Sequence, residues 1–267
     1  MMKNKVRAYY NKYHKEEHRR LKYHAFELPL TMHFIMKYLP KGSKIFDTAC
    51  GTGIYARHLL ENNYYLGLND LSDLNIHHVQ KQFGDNEDVL FIERNDILDS
   101  KRWDEHQWDA VLILGPMYHL ISQDRRLELL KKAASSIRDD GFIFTSFMTR
   151  TGALIYGIKN NPEGVYYPDG AEKLWNTGSD DSFVEATKSF SNAYFSHPSE
   201  IEPILLKAGL KPLHLAGAEG VFSERFELFH DLDPNLRKAW LKFILRHCEE
   251  MEMVYNSKHL LSVSNKK

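Results

Sequence analysis

The chain has 267 residues, 43% of them hydrophobic and 27% charged, and its formal net charge is −1. This composition is sufficient for a sizeable hydrophobic core without disulfides. It lacks the basic excess that is typical of general nucleic-acid-binding proteins, which argues against that class. The two cysteines, Cys50 and Cys248, stand far apart, which argues against a disulfide framework or a zinc site and favours a reducing, cytoplasmic compartment. No apolar run reaches the length of a membrane span, and the polar N-terminus lacks an apolar signal core.

Short strand-like runs alternate with longer helical patterns along most of the chain, which predicts βαβ units and a doubly wound α/β fold. Residues 3–38 predict two helices, the second from about residue 27 to residue 38. Seven strands are predicted, at residues 44–48, 64–69, 89–92, 108–114, 142–148, 212–216 and 259–263. Helices are predicted between them after Gly53, after Ser72 as N-cap, from near Ser122 and from about Ser199, with a turn at 139–141. A long amphipathic helix is predicted over 236–251.

The most informative stretch is residues 45–53, where an apolar strand ends in Asp47 and a glycine-rich turn opens a helix. Glycines let the backbone approach a ligand closely, and a helix N-terminus offers free N–H groups. A phosphate loop of the Walker type would need a Gly-Lys-Ser/Thr ending, which is absent. A dinucleotide fingerprint matches from Gly51 if Ala56 takes the third glycine position. Asp47 favours S-adenosylmethionine (SAM) over NAD as the ligand of this loop. A carboxylate repels the pyrophosphate of a dinucleotide, but it attracts the ammonium group of SAM.

Residues 45–53, IFDTACGTG, resemble motif I of the class I SAM-dependent methyltransferases, with Ala49 where the family usually has its first glycine. The resemblance implies that Asp47, Ala49, Gly51 and Gly53 bind SAM. It also implies a Rossmann-like, mostly parallel sheet of seven strands, with an antiparallel seventh strand expected at the edge. The resemblance is close over residues 44–148 and loose over 197–265.

Three further elements resemble the family and imply cofactor contacts. Asp70 ends the second predicted strand, where the family places the acid that holds the ribose hydroxyls, and Leu71 follows it. Asp96 and Ile97 resemble the loop that binds the adenine ring. Leu114 opens the loop after the fourth strand. Each acid also has a structural interpretation: Asp47 as a turn residue, Asp70 as a cap partner, and Asp96 as a loop former with Asp99 as its nearest rival.

Tyr118 and His119 are the candidate catalytic residues, since they follow the fourth strand at its carboxyl end, where ligands bind in open α/β sheets. His119 could act as a general base, orient a substrate or bond to the backbone of its own loop, and Tyr118 could serve packing alone. In related methyltransferases the N-terminal helix covers the cofactor, which makes Tyr10 and Tyr13 candidates for contact. No metal is predicted, because the sequence fixes no third ligand beside the pair at residues 14 and 18.

Residues 150–196 interrupt the alternation with many aromatic side chains and are interpreted as a lid over the carboxyl edge of the sheet. Within it, Arg150 is a candidate for holding an acidic substrate group or for an exposed surface position. The domain prediction is therefore a single domain over residues 1–267, with an N-terminal helical cap at 1–40 and this inserted lid.

The predicted function is transfer of a methyl group from SAM to an oxygen or nitrogen atom of a small metabolite. The predicted partner is a small-molecule substrate, with no nucleic acid, no membrane and no indication of oligomeric state. Methylation of RNA or protein is an alternative that rests on the basic run at 12–22, although the RNA methyltransferase signature is absent at 115–118. A non-catalytic SAM-binding protein and an NAD-dependent reductase are the remaining alternatives.

Overall fold

The computed structural model describes residues 6–8, 11, 26–105, 108–160, 162–166, 170–179, 193–223 and 225–267. Among these residues, no helix combines the length and the apolar character that crossing a membrane requires. Tyr10 and Tyr13, the candidate cofactor contacts of the N-terminal helix, lie outside the described residues, and so does the histidine pair at 14 and 18.

A seven-stranded sheet forms the centre of the molecule, which confirms the predicted fold class. The strands are Lys44–Asp47 (β1), Tyr65–Asp70 (β2), Val89–Arg94 (β3), Trp108–Ile113 (β4), Ile137–Met148 (β5), Leu210–Gly217 (β6) and His259–Lys266 (β7). Their order is β3-β2-β1-β4-β5-β7-β6. The first five strands pair in parallel, and β7 is antiparallel to both of its neighbours.

The expectation that the seventh strand lies at the sheet edge is wrong. β7 lies between β5 and β6, and β6 is the edge strand. Pro212 in β6 has no N–H to donate to a ladder, and the β6 register shifts between Pro212 and His214. In contrast, the first six residues of β7 are all buried, as expected for an inner strand.

Helices cover both faces of the sheet. They are Glu27–Tyr38 (α1), Ile54–Glu61 (α2), Asp73–Phe83 (α3), Pro116–His119 (α4), Gln123–Ser136 (α5), Arg150–Asn160 (α6), Gly170–Thr177 (α7), Ile201–Lys207 (α8), Phe226–Asp231 (α9), Pro234–His247 (α10) and Met251–Asn256 (α11). The predicted helix over residues 27–38 is confirmed, and Ser72 caps α3 by accepting a hydrogen bond from the backbone N–H of Asn75 at 3.2 Å.

Two other local predictions are wrong. Residues 139–141 are not a turn before the fifth strand, because β5 already begins at Ile137 and its register shifts across this stretch. The long helix expected over 236–251 is two helices, α10 and α11, with a break between His247 and Met251. Helical periodicity in the sequence continues across this break, which is why the pattern alone does not show it.

Alternating residues of the central strands build two hydrophobic cores, one on each face of the sheet. On β1, Ile45 faces the core that includes α1, whereas Phe46 faces the core that includes α5. On β4, Leu112 faces the first of these cores and Val111 faces the second. Because both faces are covered, the carboxyl edge of the sheet is where a ligand can reach the ends of the strands.

Candidate active site

A cleft lies along the carboxyl edge of the sheet. It is lined by residues from the ends of β1, β2, β4 and β5, from the start of β7 and from α1. Sequence-predicted residues that line it are Asp47, Ala49, Gly51, Asp70, Leu71, Asp96, Ile97, Leu114, Tyr118 and His119. The fold thus brings these ten positions to one opening, although they span more than seventy residues of sequence.

Asp47 is the last residue of β1, and its carboxyl group is buried in the cleft. Its Oδ1 accepts a hydrogen bond from the backbone N–H of Ala49 at 3.2 Å. Burial raises the pKa of Asp47 to about 7; the Ala49 hydrogen bond opposes that rise, and the nearby charge of Asp70 adds to it. No cationic side chain among the described residues is a cause of the pKa of Asp47, and a ligand ammonium group would supply that charge.

Asp70 ends β2 and fastens the loop after β1 to the sheet. Its Oδ2 accepts from the Gly51 backbone N–H at 2.8 Å, and its Oδ1 accepts from the Ser72 N–H at 2.8 Å and the Asn75 side-chain amide at 3.2 Å. Burial raises the pKa of Asp70, and these hydrogen bonds oppose the rise. The cap-partner interpretation and the ligand interpretation are therefore compatible, since a carboxylate has about four lone-pair sites.

The two glycines of the loop after β1, Gly51 and Gly53, have different structural roles. Gly51 has a left-handed φ of 54°, lines the cleft, and has no described heavy atom within 4 Å of the position of an added Cβ. Gly53 also has a left-handed φ, of 79°, but an added Cβ would lie 2.7 Å from the Phe83 ring of α3. Gly53 does not line the cleft, so its structural role is close packing of the loop against α3.

Asp96 and Ile97 follow β3 and line the same part of the cleft as Asp47 and Asp70. This part is the candidate cofactor end. Asp96 caps the short 3-10 helix Ile97–Asp99 by accepting from the Leu98 N–H at 3.0 Å. Asp99, the rival candidate, is exposed and does not line the cleft. Ile97 is buried, and its carbonyl accepts a hydrogen bond from the Trp103 indole at 2.6 Å, which fixes the position of the loop.

Two asparagines at this end were not foreseen from the sequence. Asn69 and Asn75 line the cleft, and their Oδ1 atoms are buried without a hydrogen-bond partner in the described structure. An unpaired buried acceptor is unfavourable by about 1–3 kcal/mol, so donors on a bound ligand would stabilise this end. The sequence signal for a ligand role was their position, since Asn69 directly precedes Asp70 and Asn75 lies in the first turn of α3.

The described part of the N-terminal segment lies over the same end of the cleft. Val6 lines the cleft, and Arg7 donates a hydrogen bond to Asp73 at 2.7 Å. Asn11 accepts one from the Ser72 hydroxyl at 2.6 Å. The N-terminal segment therefore contacts the start of α3 beside Asp70, while the contacts predicted for Tyr10 and Tyr13 stay predictions.

Tyr118 and His119 lie in α4, directly after β4, and both line the cleft. Tyr118 is buried, its ring lies 4.8 Å from the His119 ring, and its carbonyl accepts from the Tyr194 N–H at 2.7 Å. Burial lowers the pKa of His119 to about 3. A pKa this low makes the imidazole of His119 a weak base, which favours an orienting role over that of a general base.

At the other end of the cleft, three distant residues meet. Glu27 of α1, Glu219 after β6 and His259 of β7 place their side-chain donor and acceptor atoms within 4.8 Å of one another. Glu27 and His259 line the cleft. Sequence reasoning missed this cluster, since the three residues are far apart in the chain; the only signal was a histidine that opens the last strand.

Acidic side chains outnumber arginine and lysine along the described lining of the cleft. Its described lining includes the acids Glu27, Asp47, Asp70 and Asp96, against one arginine, Arg125. SAM carries an ammonium and a sulfonium group, and it has hydroxyl and amino donors for buried acceptors. The donor set of the cleft, the open space at Gly51 and the unpaired asparagine oxygens all fit SAM, whereas a pyrophosphate would face like charges.

The described residues of the insert at 150–196 do not line the cleft. Tyr156, Tyr166 and Trp175 are exposed. Arg150 is neither exposed nor open to a substrate: it forms an ion pair with Glu200 and donates hydrogen bonds to the carbonyls of Trp175 (2.8 Å) and Phe195 (3.3 Å). Both interpretations of Arg150 are therefore wrong, because the side chain ties the two ends of the insert together.

Comparison with known proteins agrees with this geometry. A family model described as a methyltransferase domain matches residues 45–141, from β1 into β5. No curated protein matches the chain at a significant level. The matched segment holds Asp47, Asp70 and Asp96 together with Tyr118 and His119, so it contains the cofactor end of the cleft.

Solved structures of similar fold extend over nearly the whole chain. Magnesium protoporphyrin IX methyltransferase from Synechocystis PCC 6803, solved with bound SAH, is 13% identical, with a TM-score of 0.64 and 100% coverage of both chains. The complex between the Haloferax volcanii Trm112 methyltransferase activator and a methyltransferase gives 14% identity and a TM-score of 0.61, covering 98% of this chain and 97% of the other. The CcbJ methyltransferase from Streptomyces caelestis is 10% identical, with a TM-score of 0.56, covering 89% of this chain and 88% of the other. At these identities the likeness shows the fold and does not select an acceptor.

Proposed function

We propose that this chain, a SAM-dependent methyltransferase of the class I fold, transfers the methyl group to an oxygen or nitrogen atom of a small metabolite. The observation that carries the proposal is the acidic lining of the cleft, where four acidic side chains, two of them with a pKa raised by burial, accompany one arginine in the described residues. Such a surface favours a cation or a neutral molecule over a polyanion. RNA, which carries one phosphate charge per nucleotide, is a poor fit for it.

The residues at the cofactor end would share the binding of SAM. Asp47 would face its ammonium group, Asp70 its ribose hydroxyls, and Asp96 with Ile97 its adenine ring. The remaining cofactor-binding candidates, Ala49, Gly51, Leu71 and Leu114, would supply backbone and apolar contacts around it. Bound SAM supplies a methyl group that its sulfonium already makes electrophilic, so the protein mainly has to orient the acceptor and exclude water.

Tyr118 and His119 are the proposed orienting residues for the acceptor. They follow β4, next to the strand that carries Asp47, and their rings lie against each other in the cleft wall. A neutral imidazole and a phenol can each donate and accept a hydrogen bond, which suits an O–H or N–H acceptor. Because burial lowers the pKa of His119 to about 3, its protonated form would be unfavourable.

The remaining parts of the proposal concern access and location. Residues 1–40 are proposed to cover the cofactor end, as the contacts of Arg7 and Asn11 with the start of α3 support. Residues 150–196 are proposed as a lid, although their described residues do not line the cleft. Two free, buried cysteines, Cys50 and Cys248, fit a reducing compartment such as the cytoplasm.

The test follows the methyl group. Purified protein is incubated with SAM labelled in its methyl group and, separately, with the small-metabolite, RNA and protein fractions of a cell extract. We expect label in the small-metabolite fraction, and mass spectrometry then identifies the acceptor atom. Label confined to RNA or protein would contradict the small-molecule proposal. Tight binding of SAM without transfer to any fraction would favour the alternative of a non-catalytic SAM-binding protein.

A further inference from the structure

The Glu219–His259 pair at the far end of the cleft has the geometry of an oriented base. His259 is the first residue of β7 and pairs with Met148, the last residue of β5, so it lies at the carboxyl edge of the sheet. Its Nδ1 is 2.5 Å from Oε1 of Glu219 and 3.4 Å from Oε1 of Glu27. Because His259 also lines the cleft, this pair borders the ligand space.

Glu219 is held in a fixed position. Only 1% of its surface is exposed, and its Oε2 accepts hydrogen bonds from the backbone N–H groups of Lys258 at 3.0 Å and His259 at 3.1 Å. Its Oε1 is thereby aimed at the imidazole Nδ1. A carboxylate at hydrogen-bond distance keeps the proton on Nδ1, which makes Nε2 the basic nitrogen of the ring.

The position of the pair separates it from the cofactor end. Neighbouring strands lie about 4.8 Å apart, and β7 is three strands from β1 in the sheet order. His259 is therefore roughly 14 Å from Asp47 across the sheet, at the β7 side of the cleft. His119, after β4, lies between the two ends.

We infer that His259, oriented by Glu219, takes the proton from the O–H or N–H group of the methyl acceptor; this rests on the proposed function. In the step, the acceptor's lone pair forms the new bond to the methyl carbon, and the carbon–sulfur electron pair stays on the sulfur. The acceptor's proton passes to Nε2 of His259, and the resulting imidazolium is stabilised by the Glu219 carboxylate. Solvent later removes this proton, which balances the reaction.

A metal site made of Glu27, Glu219 and His259 is the rival interpretation. Ligand atoms held about 2.0–2.1 Å from one tetrahedral ion lie roughly 3.3 Å apart. Nδ1 of His259 and Oε1 of Glu219 lie closer together than that, which is the arrangement of a hydrogen-bonded pair and not of two ligands around one ion. The two backbone donors on Glu219 also restrict the movement that ligation would need.

Two variants test the inference. His259→Gln keeps a donor toward Glu219 but has no basic nitrogen, and His214→Gln is the control. His214 also pairs with a glutamate, Glu249, at 2.7 Å on the same sheet, but it does not line the cleft. In the labelled-SAM assay we expect His259→Gln to slow product formation about 100-fold or more, with the His214→Gln rate unchanged. Both variants should bind S-adenosylhomocysteine (SAH) as the wild type does.

A second readout needs no turnover. In long-range ¹H–¹⁵N spectra of the ligand-free protein at mildly alkaline pH, His259 should be protonated on Nδ1, and Glu219→Gln should redistribute the proton between the two nitrogens. Protonation on Nε2 in the wild type, or an unchanged rate in His259→Gln, would overturn the inference. So would weakened SAH binding by His259→Gln, or activity that EDTA removes and Mn²⁺ restores. Wild-type protein that binds SAH but labels no metabolite would overturn the proposed function itself.

Discussion

The two ends of the cleft are built in different ways. At the cofactor end, Asp47 and Asp70 are the last residues of adjacent parallel strands, and backbone N–H groups hold both carboxyl groups. At the opposite end, which is the proposed acceptor end, Glu27, Glu219 and His259 come from a helix, a loop and an antiparallel strand. Burial raises the pKa of both aspartates, whereas Glu219 already has the imidazole beside it.

Because of this difference, we expect the cofactor end to determine SAM affinity and the opposite end to determine the rate of methyl transfer. Two buried carboxyl groups with no cation beside them in the described part of the chain are suited to bind one, so substitution at the cofactor end should reduce affinity. The acceptor end holds an internally paired acid and base, so it should respond with a loss of rate and little change in affinity. Substitutions at Asp70, Asp47 and Gly51 test the effect on affinity, and His259→Gln tests the effect on rate.

The largest effect is expected for Asp70→Ala. Removing this carboxylate would remove its charge-assisted hydrogen bond to a ribose hydroxyl and release the Gly51 loop that it holds, a loss of about 3 kcal/mol or roughly 100-fold in SAH affinity. Isothermal titration calorimetry measures this directly. Asp85→Ala is the control, because Asp85 is exposed and does not line the cleft. Unchanged affinity in Asp70→Ala would contradict the ribose assignment.

Asp47 should give the cleft a pH dependence. Its pKa of about 7 means that wild-type SAH affinity rises as pH increases through 7, by up to about tenfold per pH unit below that value. At alkaline pH, Asp47→Asn should bind SAH more weakly than the wild type does. In this variant, SAH affinity should no longer show the rise through pH 7 that Asp47 causes. Titration calorimetry across this pH range tests both statements.

The same pKa has a consequence for stability. Because the folded protein holds the Asp47 proton more tightly than the unfolded chain does, rising pH from 3.8 to about 7 should destabilise the ligand-free fold. The slope from this one group is at most roughly 1.4 kcal/mol per pH unit. Urea unfolding of wild type and Asp47→Asn at several pH values isolates it. Parallel curves for the two proteins would contradict the assigned pKa.

The smallest effect is expected for Gly51→Ala compared with Gly209→Ala. Both glycines have a left-handed φ, 54° and 81°, and neither has a described atom within 4 Å of an added Cβ. Each substitution should therefore destabilise the fold by a similar amount, about 1 kcal/mol. Only Gly51→Ala should also weaken SAH binding, since Gly51 lines the cleft. Equal SAH affinity in both variants would show that the loop does not need close approach at Gly51.

The elements that the sequence predicted correctly are those with local signals. β1, α1 and the Ser72 cap follow from apolar runs and capping chemistry within a few residues. The predictions that proved wrong depend on distant contacts. Arg150 is paired with Glu200 and with the carbonyls of Trp175 and Phe195, none of which a local pattern reveals. The insertion of β7 between β5 and β6 is likewise a matter of strand pairing across the chain.

The sequence by itself determined the cofactor end, because the family's acids lie at the ends of consecutive parallel strands, and such strands end at one edge of a sheet. Asp47, Asp70 and Asp96 could therefore be predicted to lie together from the family resemblance and the order of the strands. Only the tertiary structure decided the acceptor end. An antiparallel β7 starts, rather than ends, at the carboxyl edge, and this reversal brings His259 to Glu219 and Glu27. No spacing in the chain encodes that meeting, since it depends on how the last strand enters the sheet.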